Sequence, residues 1–502
     1  MSRSLFARLD ERFGQPIDPL TRRSFLAATL ALGVGGLVSC RSTPRTSAAG
    51  GKRVIVIGAG FAGLMCAHEL KAVGYSVQVL DARERVGGRV LSFRDLVPGG
   101  TVEGGGELIG SNHPTWAACR AKFGLEFLEI KEDENLDAPL LLDGKLLTPK
   151  EAEALYEEMD GVLKLMTADA ANVDAESPWL TPNATALDKK STAEWLAKVE
   201  CSPMCTRALR MQFESDNGNA LHKQSYLGNL AQVKGGGLEH YWTDSETHRC
   251  KGGNQLLAFK LAKAIGEKNI ALKIQVKSIK DRGDKMIIST AGGQTLEADD
   301  VVLAISPGVW NKIEFSQGLI PQGLAPQMGV NVKFLAGVKG RFWVQGGLSP
   351  DAATDGDIGS TWDATDGQAI APSNGKDGKP AATACLTAFS GGPAAERILA
   401  RKTGPLVEAY VNELAKLYPG IRENFVAGRF MDWPSEIWTG GSYSFPAPGQ
   451  VTAQGPLMAK PSGGLHFAGE HTCYKFVGYM EGALDSGARV AQHIASRDGV
   501  AS

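Results

Sequence analysis

The sequence predicts an α/β protein in which an inserted α+β domain interrupts a first domain. Three observations support this prediction. From Arg53 to Leu80 a buried strand, a glycine turn, a helix and a second strand follow one another, which is a β-α-β unit of about 30 residues. Residues 131–249 then change to acidic helical stretches, and a glycine-rich strand-to-helix pattern returns at residues 464–491. We therefore expect the first domain to be assembled from separate stretches of chain.

The composition is that of a globular protein with two cores. The chain has 502 residues, of which 43% are hydrophobic and 22% are charged, and its net charge is −2 at pH 7. This length exceeds that of one ordinary domain. The near-zero charge offers no electrostatic reason to expect a nucleic-acid partner or an acidic substrate.

The first 40 residues have the features of an export signal. Arg22 and Arg23 form a twin-arginine pair, and an uncharged apolar run follows at residues 26–38. This run is shorter than the roughly 20 residues that a membrane helix needs, which favours a targeting segment. It leads into Cys40 in a pattern that resembles a bacterial lipobox. We expect export by the twin-arginine machinery to the periplasm, with Cys40 as a candidate lipid anchor; a signal cut elsewhere, or left uncut, is the alternative.

Cysteine and histidine spacings predict neither a disulfide framework nor a metal site. Seven cysteines remain besides Cys40, and an odd number without regular spacing argues against a disulfide scaffold. His113, His466 and His471 lack the spacing of metal ligands, so no metal is expected.

The turn after the first strand has the pattern of a Rossmann-like dinucleotide site. Its first glycine allows the turn, its second admits a pyrophosphate, and its third lets helix and strand pack closely. The helix that follows presents free N–H groups and a positive dipole end to phosphates. Asp81 ends the second strand, where a carboxylate accepts from ribose hydroxyls and disfavours NADP; a strand-end surface acid is the alternative. The turn reads Gly58-Ala59-Gly60-Phe61-Ala62-Gly63.

The segment after Asp81 favours FAD over NAD. It continues with Ala82, Arg83 and then Arg85-Val86-Gly87-Gly88-Arg89. The glycine pair lets a second loop of backbone pack beside the phosphates, and Arg89 can neutralise them. This segment resembles the FAD signature of the flavin-containing amine oxidase family, which includes monoamine oxidases and L-amino-acid oxidases.

The resemblance to this family extends over nearly all of residues 52–495. Residues 251–255 are similar to a family loop that begins the second flavin-binding block, and residues 465–470 and 478–483 are similar to its C-terminal flavin motif. A helix beginning at that motif would point its N-terminus at the flavin and favour the anionic reduced cofactor. The resemblance implies that the following residues also bind the cofactor: Gly105, Gly106, Glu107, Val276 through its backbone at the adenine, Gly469, Glu470, Gly478, Tyr479 and Met480.

Position 442 implies that FAD is bound without a covalent link. Residues 440–443 read Gly-Gly-Ser-Tyr, where monoamine oxidases have Gly-Gly-Cys-Tyr. The family's flavin thioether is made by that cysteine, and the hydroxyl of Ser442 cannot form it. Cys473, the one cysteine in the C-terminal motif, is a weak substitute.

Three residues match catalytic positions of monoamine oxidases. Tyr443 and Tyr479 correspond to the two aromatic rings that face each other before the flavin and guide an amine nitrogen; two core tyrosines are the alternative. Lys333 lies ten residues before Trp343, as does the family lysine that holds a water against flavin N5. A lysine in an apolar strand is costly to bury without a purpose, unless it reaches the surface.

The resemblance implies hydride transfer from an amine to flavin N5, with dioxygen as the electron acceptor. The substrate is then a primary amine or an amino acid. No arginine follows the glycine pair, which disfavours an L-amino-acid oxidase unless Arg249 or Arg210 supplies it, and Glu107 could instead hold a second cationic group or be a structural carboxylate. A dehydrogenase with a periplasmic acceptor, a lipid desaturase and a non-catalytic flavoprotein stay open.

The expected domain boundaries follow from these motifs. Residues 351–379, rich in Gly, Asp and Ser, are expected to form a surface excursion. The boundaries are a signal at 1–40, a flexible linker at 41–52, an FAD-binding domain at 53–130, 250–325 and 430–495, and a substrate-binding domain at 131–249 and 326–429.

Overall fold

The α/β class expected from the sequence is observed in a computed structural model of the chain. The structure describes residues 4–14, 51–130, 135–371, 381–401 and 405–500. The twin-arginine pair, the apolar run and Cys40 lie outside these residues. Among the helices that are described, none is both long enough and apolar enough to cross a bilayer.

The strands and helices alternate along most of the chain. The strands are β1 Arg53–Ile57, β2 Ser76–Leu80, β3 Ser92–Phe93, β4 Val102–Glu103, β5 Phe127–Glu129, β6 Leu140–Leu142, β7 Lys145–Leu146, β8 His248–Cys250, β9 Ile270–Ala271, β10 Val276–Asp281, β11 Met286–Thr290, β12 Thr295–Ala298, β13 Asp300–Leu303, β14 Glu314–Phe315, β15 Asn331–Val338, β16 Ala353–Thr354, β17 Ser360–Asp363, β18 Ala384–Gly391, β19 Phe425–Asp432 and β20 Leu465–Phe467. The helices are α1 Leu5–Phe13, α2 Phe61–Ala72, α3 Pro114–Phe123, α4 Pro149–Ala170, α5 Ala184–Lys189, α6 Thr192–Leu196, α7 Pro203–Asn217, α8 Tyr226–Gly235, α9 Glu239–Asp244, α10 Gln255–Ile265, α11 Phe342–Gln345, α12 Pro393–Leu399, α13 Leu406–Leu417, α14 Ile421–Asn424, α15 Gln450–Met458 and α16 Met480–Arg497.

A five-stranded parallel sheet carries the nucleotide-type sequence. Its strand order is β20-β13-β1-β2-β9, and Ile55 at its centre pairs with Val301 on one side and Gln78 on the other. The central strands are almost wholly apolar because the sheet is covered on its faces. Helices α2 and α16 share one hydrophobic core with β1 and β2. The sheet therefore joins stretches of chain that lie more than 400 residues apart, from β1 to β20.

A seven-stranded sheet combines strands from residues 140–146 with strands from residues 331–432. Its order is β19-β15-β18-β17-β16-β6-β7, and β15 pairs antiparallel with both β18 and β19. Every residue of β15 and β18 is buried. A third sheet has four strands in the order β12-β11-β10-β14. Strand β15 brings Lys333 into the interior of the molecule.

The surface excursion expected at residues 351–379 is wrong for residues 351–365. Strands β16 and β17 lie inside the seven-stranded sheet, and all four residues of β17 are buried. Two polar side chains of β17 have internal partners: Thr361 Oγ1 lies 2.8 Å from Tyr418 Oη, and Asp363 accepts from Thr365 N at 2.7 Å. Residues 372–380 lie outside the described part.

Residues 4–14, which fall within the predicted signal, form helix α1 against the body of the protein. The side chains of Leu5, Phe6 and Leu9 are buried in the same core as α4, α7 and α8. Arg8 is 3% exposed and donates from Nη1 to the carbonyl of Ala352 at 2.7 Å. The apolar and charged sides of this short helix thus both have partners in the fold.

Candidate active site

A long cleft opens at the carboxyl ends of β1 and β2 and passes the N-termini of α2 and α16. It encloses about 1240 Å³, open solvent at its mouth included. Strand β15 and the loop after β19 form its far wall. Most of the residues that the sequence assigns to the site line it: Gly58, Gly60, Phe61, Ala62, Asp81, Arg83, Gly87, Gly88, Arg89, Gly105, Gly106, Glu107, Lys333, Tyr443, Gly469, Glu470, Gly478, Tyr479 and Met480.

Two glycine contacts shape the phosphate end of the cleft. A Cβ on Gly63 would lie 1.9 Å from the carbonyl oxygen of Gly58, so only glycine lets α2 begin this close to β1. Gly88 has φ +58, and a Cβ there would lie 3.2 Å from Gly60 Cα. The two loops are joined by a hydrogen bond from Gly87 N to the carbonyl of Ala59 at 2.8 Å. Gly63 thus does not line the cleft but allows the close packing of α2 against β1 beside it.

Asp81 joins the phosphate end to a second pocket. Its Oδ2 accepts from Ala59 N and its Oδ1 from Arg83 N, each at 2.7 Å. These two bonds hold the carboxylate where both pockets meet, with lone pairs left for hydroxyl donors. The second pocket also contains Ala82, a predicted cofactor-binding residue, and Val276, the predicted adenine contact. The combined shape is that of a site for an extended dinucleotide.

Arg89 has an internal partner that the sequence did not indicate. Its Nη1 lies 2.8 Å from Glu470 Oε1. Glu470 also accepts from Ser444 N and from Gly478 N at 2.9 Å. Burial alone would raise the pKa of Glu470, but Arg89 and the other donors hold it below its usual value. Glu470 therefore stays ionised and ties the arginine loop to the start of α16.

The unpartnered ring of His471 tests whether a flavin fits this cleft. Its ring is 3% exposed and lines the cleft, and neither ring nitrogen has a hydrogen-bond partner within the described part of the chain. Burial lowers its pKa to about 4, so the ring is neutral at pH 7. A buried polar group without a partner calls for a ligand or a water. Together with the helix N-termini and the glycine loops, His471 fits the polar edges of FAD.

Lys333 reaches the cleft from β15 with all of its protons engaged. Its Nζ donates to Glu107 Oε2 at 2.6 Å, to Glu103 O at 3.0 Å and to Gly105 O at 3.1 Å. An ammonium group has three donors. A water held by Lys333, as the resemblance implies, would have to replace one of these acceptors or share a proton with it.

Glu107 is a structural carboxylate in this site. Its Oε1 accepts from Arg249 Nε and from Trp362 Nε1, each at 2.8 Å, and Oε2 accepts from Lys333. Of the two roles weighed for it, the second-cation role does not fit, because two cations of the protein already hold its carboxylate. Its partners are side chains and not the backbone donors that a structural role first suggests.

Tyr443 and Tyr479 both line the cleft but belong to different aromatic clusters. Tyr443 packs with Trp362 and Phe389, whereas Tyr479 packs with Phe476 and Cys473. The two tyrosines are 8% and 6% exposed. Burial raises the pKa of both hydroxyls well above the usual value, so both are neutral at pH 7.

Sequence reasoning missed two carboxylates near these tyrosines. Asp216, on α7, and Glu246, after α9, both raise the pKa of Tyr443 and Tyr479 through their charge. They lie among the helices of residues 149–244 and just after them, where the sequence contains no motif that would have singled them out. The environment of the tyrosines is therefore acidic.

Neither arginine considered for a substrate carboxylate lines the cleft. Arg249 is 4% exposed and is held by Glu107 and by the carbonyl of Asp363 at 2.7 Å. The side chain of Arg210 is 51% exposed and lies near Glu214.

The thiol of Cys473 does not line the cleft either, and its Sγ lies 3.4 Å from Asp485. Ser442 is the residue that lines it, and a hydroxyl cannot make the thioether. This arrangement agrees with a cofactor held without a covalent bond.

A dinucleotide cleft that ends in a buried lysine and two tyrosines defines a flavin-dependent oxidoreductase. Residues 61–495 match the family model described as flavin containing amine oxidoreductase. The chain belongs to this family of enzymes, which oxidise amines and use FAD as cofactor.

Individual relatives agree with this assignment. The chain is 28% identical over 467 residues to the flavin-containing amine oxidase of Danio rerio, which covers 88% of this chain and 85% of the relative. It is 26% identical over 474 residues to the probable flavin-containing monoamine oxidase A of Dictyostelium discoideum, covering 88% and 97%. Among solved structures, cyclohexylamine oxidase from Brevibacterium oxydans IH-35A gives a TM-score of 0.77 at 26% identity, covering 89% of this chain and 99% of that one. A putrescine oxidase bound to putrescine gives 0.77 at 25% identity, with the same coverage.

Proposed function

We propose that this enzyme oxidises a primary amine that carries no α-carboxylate. The products are an imine, which water hydrolyses to a carbonyl compound and ammonia, and hydrogen peroxide from dioxygen. The observation that supports the proposal is that Tyr443, Tyr479 and Lys333 line one cleft, and that the carboxylates of Asp216 and Glu246 make the surroundings of the two tyrosines acidic. An acidic environment repels a substrate carboxylate, and neither Arg249 nor Arg210 is placed to bind one.

The residues of the site orient the amine and set its surroundings. Bound FAD supplies the acceptor for the hydride that leaves the carbon next to nitrogen, and its electrons pass on to dioxygen. Tyr443 and Tyr479 present buried neutral rings, whose faces attract an amine nitrogen as it enters. Burial also lowers the pKa of an alkylammonium, which favours the neutral amine from which hydride can leave. Lys333 maintains a positive charge at the wall of the cleft.

A matched pair of substrates tests the proposal. Phenethylamine and L-phenylalanine share a side chain and differ by a carboxylate, and each is added anaerobically to the holoenzyme. We expect the amine alone to bleach the visible flavin absorption, with recovery and peroxide formation when air is admitted. Bleaching by the amino acid alone would make the enzyme an amino-acid oxidase. Slow recovery in air would indicate a dehydrogenase, and a flavin that no amine bleaches would favour a lipid desaturase.

We also propose that the enzyme is exported through the twin-arginine pathway and anchored at Cys40. The twin-arginine machinery carries folded proteins, which suits a chain that must acquire FAD before export. The test is cell fractionation of the full-length chain together with an R22K/R23K variant and a Cys40→Ala variant. We expect the first variant to stay in the cytoplasm and the second to reach the periplasm without a membrane anchor. Equal distribution of all three proteins would overturn the proposal.

A further inference from the structure

We propose that Tyr241 is a positioning residue for Tyr479, whose ring it holds in place through a bond between the two hydroxyl groups. Tyr241 lies on α9 and Tyr479 immediately before α16, so the contact joins distant segments of the chain. Both residues line the same small chamber beside the cleft. The inference rests on the proposed function only in that Tyr479 faces the reacting amine.

The ring of Tyr479 is packed by the edges of two neighbouring rings. The centroid of the His113 ring lies 5.3 Å from that of Tyr479 at an interplanar angle of 74°. The ring of Phe476 lies at 6.4 Å and 86°. These contacts are made by the ring itself, and a buried tyrosine hydroxyl usually has a hydrogen-bond partner of its own.

The hydroxyl of Tyr479 has this partner in Tyr241. A side-chain hydrogen bond joins the two residues, with Tyr479 as the donor. Tyr241 also packs against the cluster that contains Cys473, Phe476 and Tyr479. Its own hydroxyl donates to Gln232 Oε1 at 3.4 Å. The hydroxyl of Tyr479 is therefore the start of a chain of hydrogen bonds that ends on α8.

Gln232 anchors the far end of this chain. Its side chain is fully buried, and its Nε2 donates to the carbonyl of Val477 at 2.8 Å. Gln232 thus holds the backbone just before Tyr479 as well as the hydroxyl that positions its ring. Gly236 leaves room for Tyr241, because a Cβ on this glycine would lie 2.6 Å from Tyr241 Cδ2.

Tyr443, the other tyrosine of the site, is not held in this way. Its hydroxyl is buried and has no hydrogen-bond partner in the part of the chain that the structure describes. Its ring packs instead with Trp362 and Phe389. Removing the hydroxyl of Tyr241 should therefore act through Tyr479 and not through Tyr443.

A double-mutant cycle tests the inference with the holoenzyme. The limiting rate of anaerobic flavin reduction and the apparent Kd are measured for Tyr241→Phe, Tyr479→Phe and Y241F/Y479F. The substrate is phenethylamine, or L-phenylalanine if only that compound reduces the wild-type flavin. Rates are expressed per bound flavin, and each substitution removes one oxygen atom and keeps the ring.

Loss of one neutral hydrogen bond should lower the limiting rate of Tyr241→Phe by about 2- to 12-fold, with a smaller change in Kd. Y241F/Y479F should react no more slowly than Tyr479→Phe, because the hydroxyl that Tyr241 holds is already gone. The losses in Y241F/Y443F should instead multiply. The matched control is Tyr75→Phe, which removes a buried hydroxyl that donates to Asp498 at 2.8 Å and should keep the wild-type rate.

The outcomes separate this inference from the proposed function. A wild-type rate in Tyr241→Phe would overturn the inference and leave the amine oxidase standing. The same holds if the losses of Tyr241→Phe and Tyr479→Phe multiply in the double variant, because the two hydroxyls would then act independently. If neither compound reduces the flavin of the wild-type enzyme, the proposed function fails and the inference fails with it.

Discussion

Lys333 and Glu107 form a buried ion pair in which Nζ lies 2.6 Å from Oε2. The two side chains are 6% and 1% exposed. Arg249 contacts the other carboxylate oxygen at 2.8 Å. Burial alone would raise the pKa of Glu107, but the two cations hold it below its usual value, so the carboxylate is ionised at pH 7. One anion thus stabilises two buried cations at the wall of the cleft.

Removing the anion should destabilise the enzyme more than removing one cation. Glu107→Gln leaves Lys333 and Arg249 buried without a counter-charge, which should cost about 3 to 5 kcal/mol. Lys333→Met leaves the pair of Glu107 and Arg249 intact, so its cost should be smaller. The measurement is urea unfolding of each holoenzyme at pH 7, with Glu153→Gln as the control for loss of a surface charge. Equal costs for the two buried variants would contradict the shared role of Glu107.

The pair also shows what the sequence could and could not predict. Lys333 was found because its spacing to Trp343 matches the family. The glycine turns were found because close backbone contact admits no other residue, as at Gly63. These features depend on residues close together in the sequence, so a few neighbouring positions are enough to predict them.

The features that were missed depend on contacts between distant segments. The sequence leaves two roles open for Glu107, a cation holder or a structural carboxylate, because the contact that decides between them is with Arg249, 142 residues away. Asp216 and Glu246 are ordinary acids until α7 and the end of α9 bring them beside Tyr479. The burial of β17 was missed because Thr361 and Asp363 look like surface residues until their internal partners are known.

Gly63→Ala should abolish FAD binding. The added Cβ would meet the Gly58 carbonyl at 1.9 Å and push the first turn of α2 away from β1. The N–H groups that face the phosphates would move with that turn. The measurement is the flavin content of the purified protein from the ratio of flavin to protein absorption. Gly161→Ala is the matched control, because nothing lies within 4 Å of its added Cβ; a Gly63→Ala protein with full flavin content would refute the expectation.

Denaturation in acid should release all of the flavin. Ser442, at the position of the thioether cysteine in monoamine oxidases, lines the cleft. Cys473 does not line it, and its Sγ lies 3.4 Å from Asp485. No thiol among the cleft-lining residues is therefore placed to bond to the isoalloxazine ring. The enzyme is precipitated with trichloroacetic acid, and the absorption of supernatant and pellet is compared. Flavin that stays with the pellet would show a covalent link and contradict this account.

Acid should destabilise the enzyme partly through His113. Burial lowers the pKa of this ring to about 3, and its Nδ1 accepts from Gly110 N at 2.9 Å. In the unfolded chain, His113 takes up a proton as the pH falls below its ordinary pKa near 6.5, whereas the folded ring stays neutral. Stability is therefore lost as pH falls from 6.5 towards 3, by about 2 kcal/mol at pH 5.

His113→Gln should flatten this dependence. The amide does not titrate, so the difference in unfolding free energy between pH 7 and pH 5 should shrink by the same amount relative to wild type. Burial raises the pKa of Glu103 to about 7, so protonation of Glu103 in acid has the opposite effect on stability. Wild type and His113→Gln both contain Glu103, so its effect cancels in the comparison. The exposed His222 supplies the control variant, His222→Gln. A His113→Gln curve parallel to wild type would show that His113 plays no part in acid unfolding.

Helix α1 should contribute to stability although it precedes the twin-arginine pair. Phe6 is 4% exposed and stacks on Tyr156 with ring centroids 5.6 Å apart. Its truncation in Phe6→Ala removes this contact and leaves a cavity, at a cost of about 3 to 5 kcal/mol if the helix stays docked. The cost cannot exceed the free energy with which the whole helix is bound, because a weakly held helix would detach instead. Urea unfolding of the full-length holoenzyme measures it, and Phe259→Ala, which truncates an exposed phenylalanine of α10, is the control. Equal midpoints for Phe6→Ala and wild type would mean that α1 does not pack on the folded enzyme.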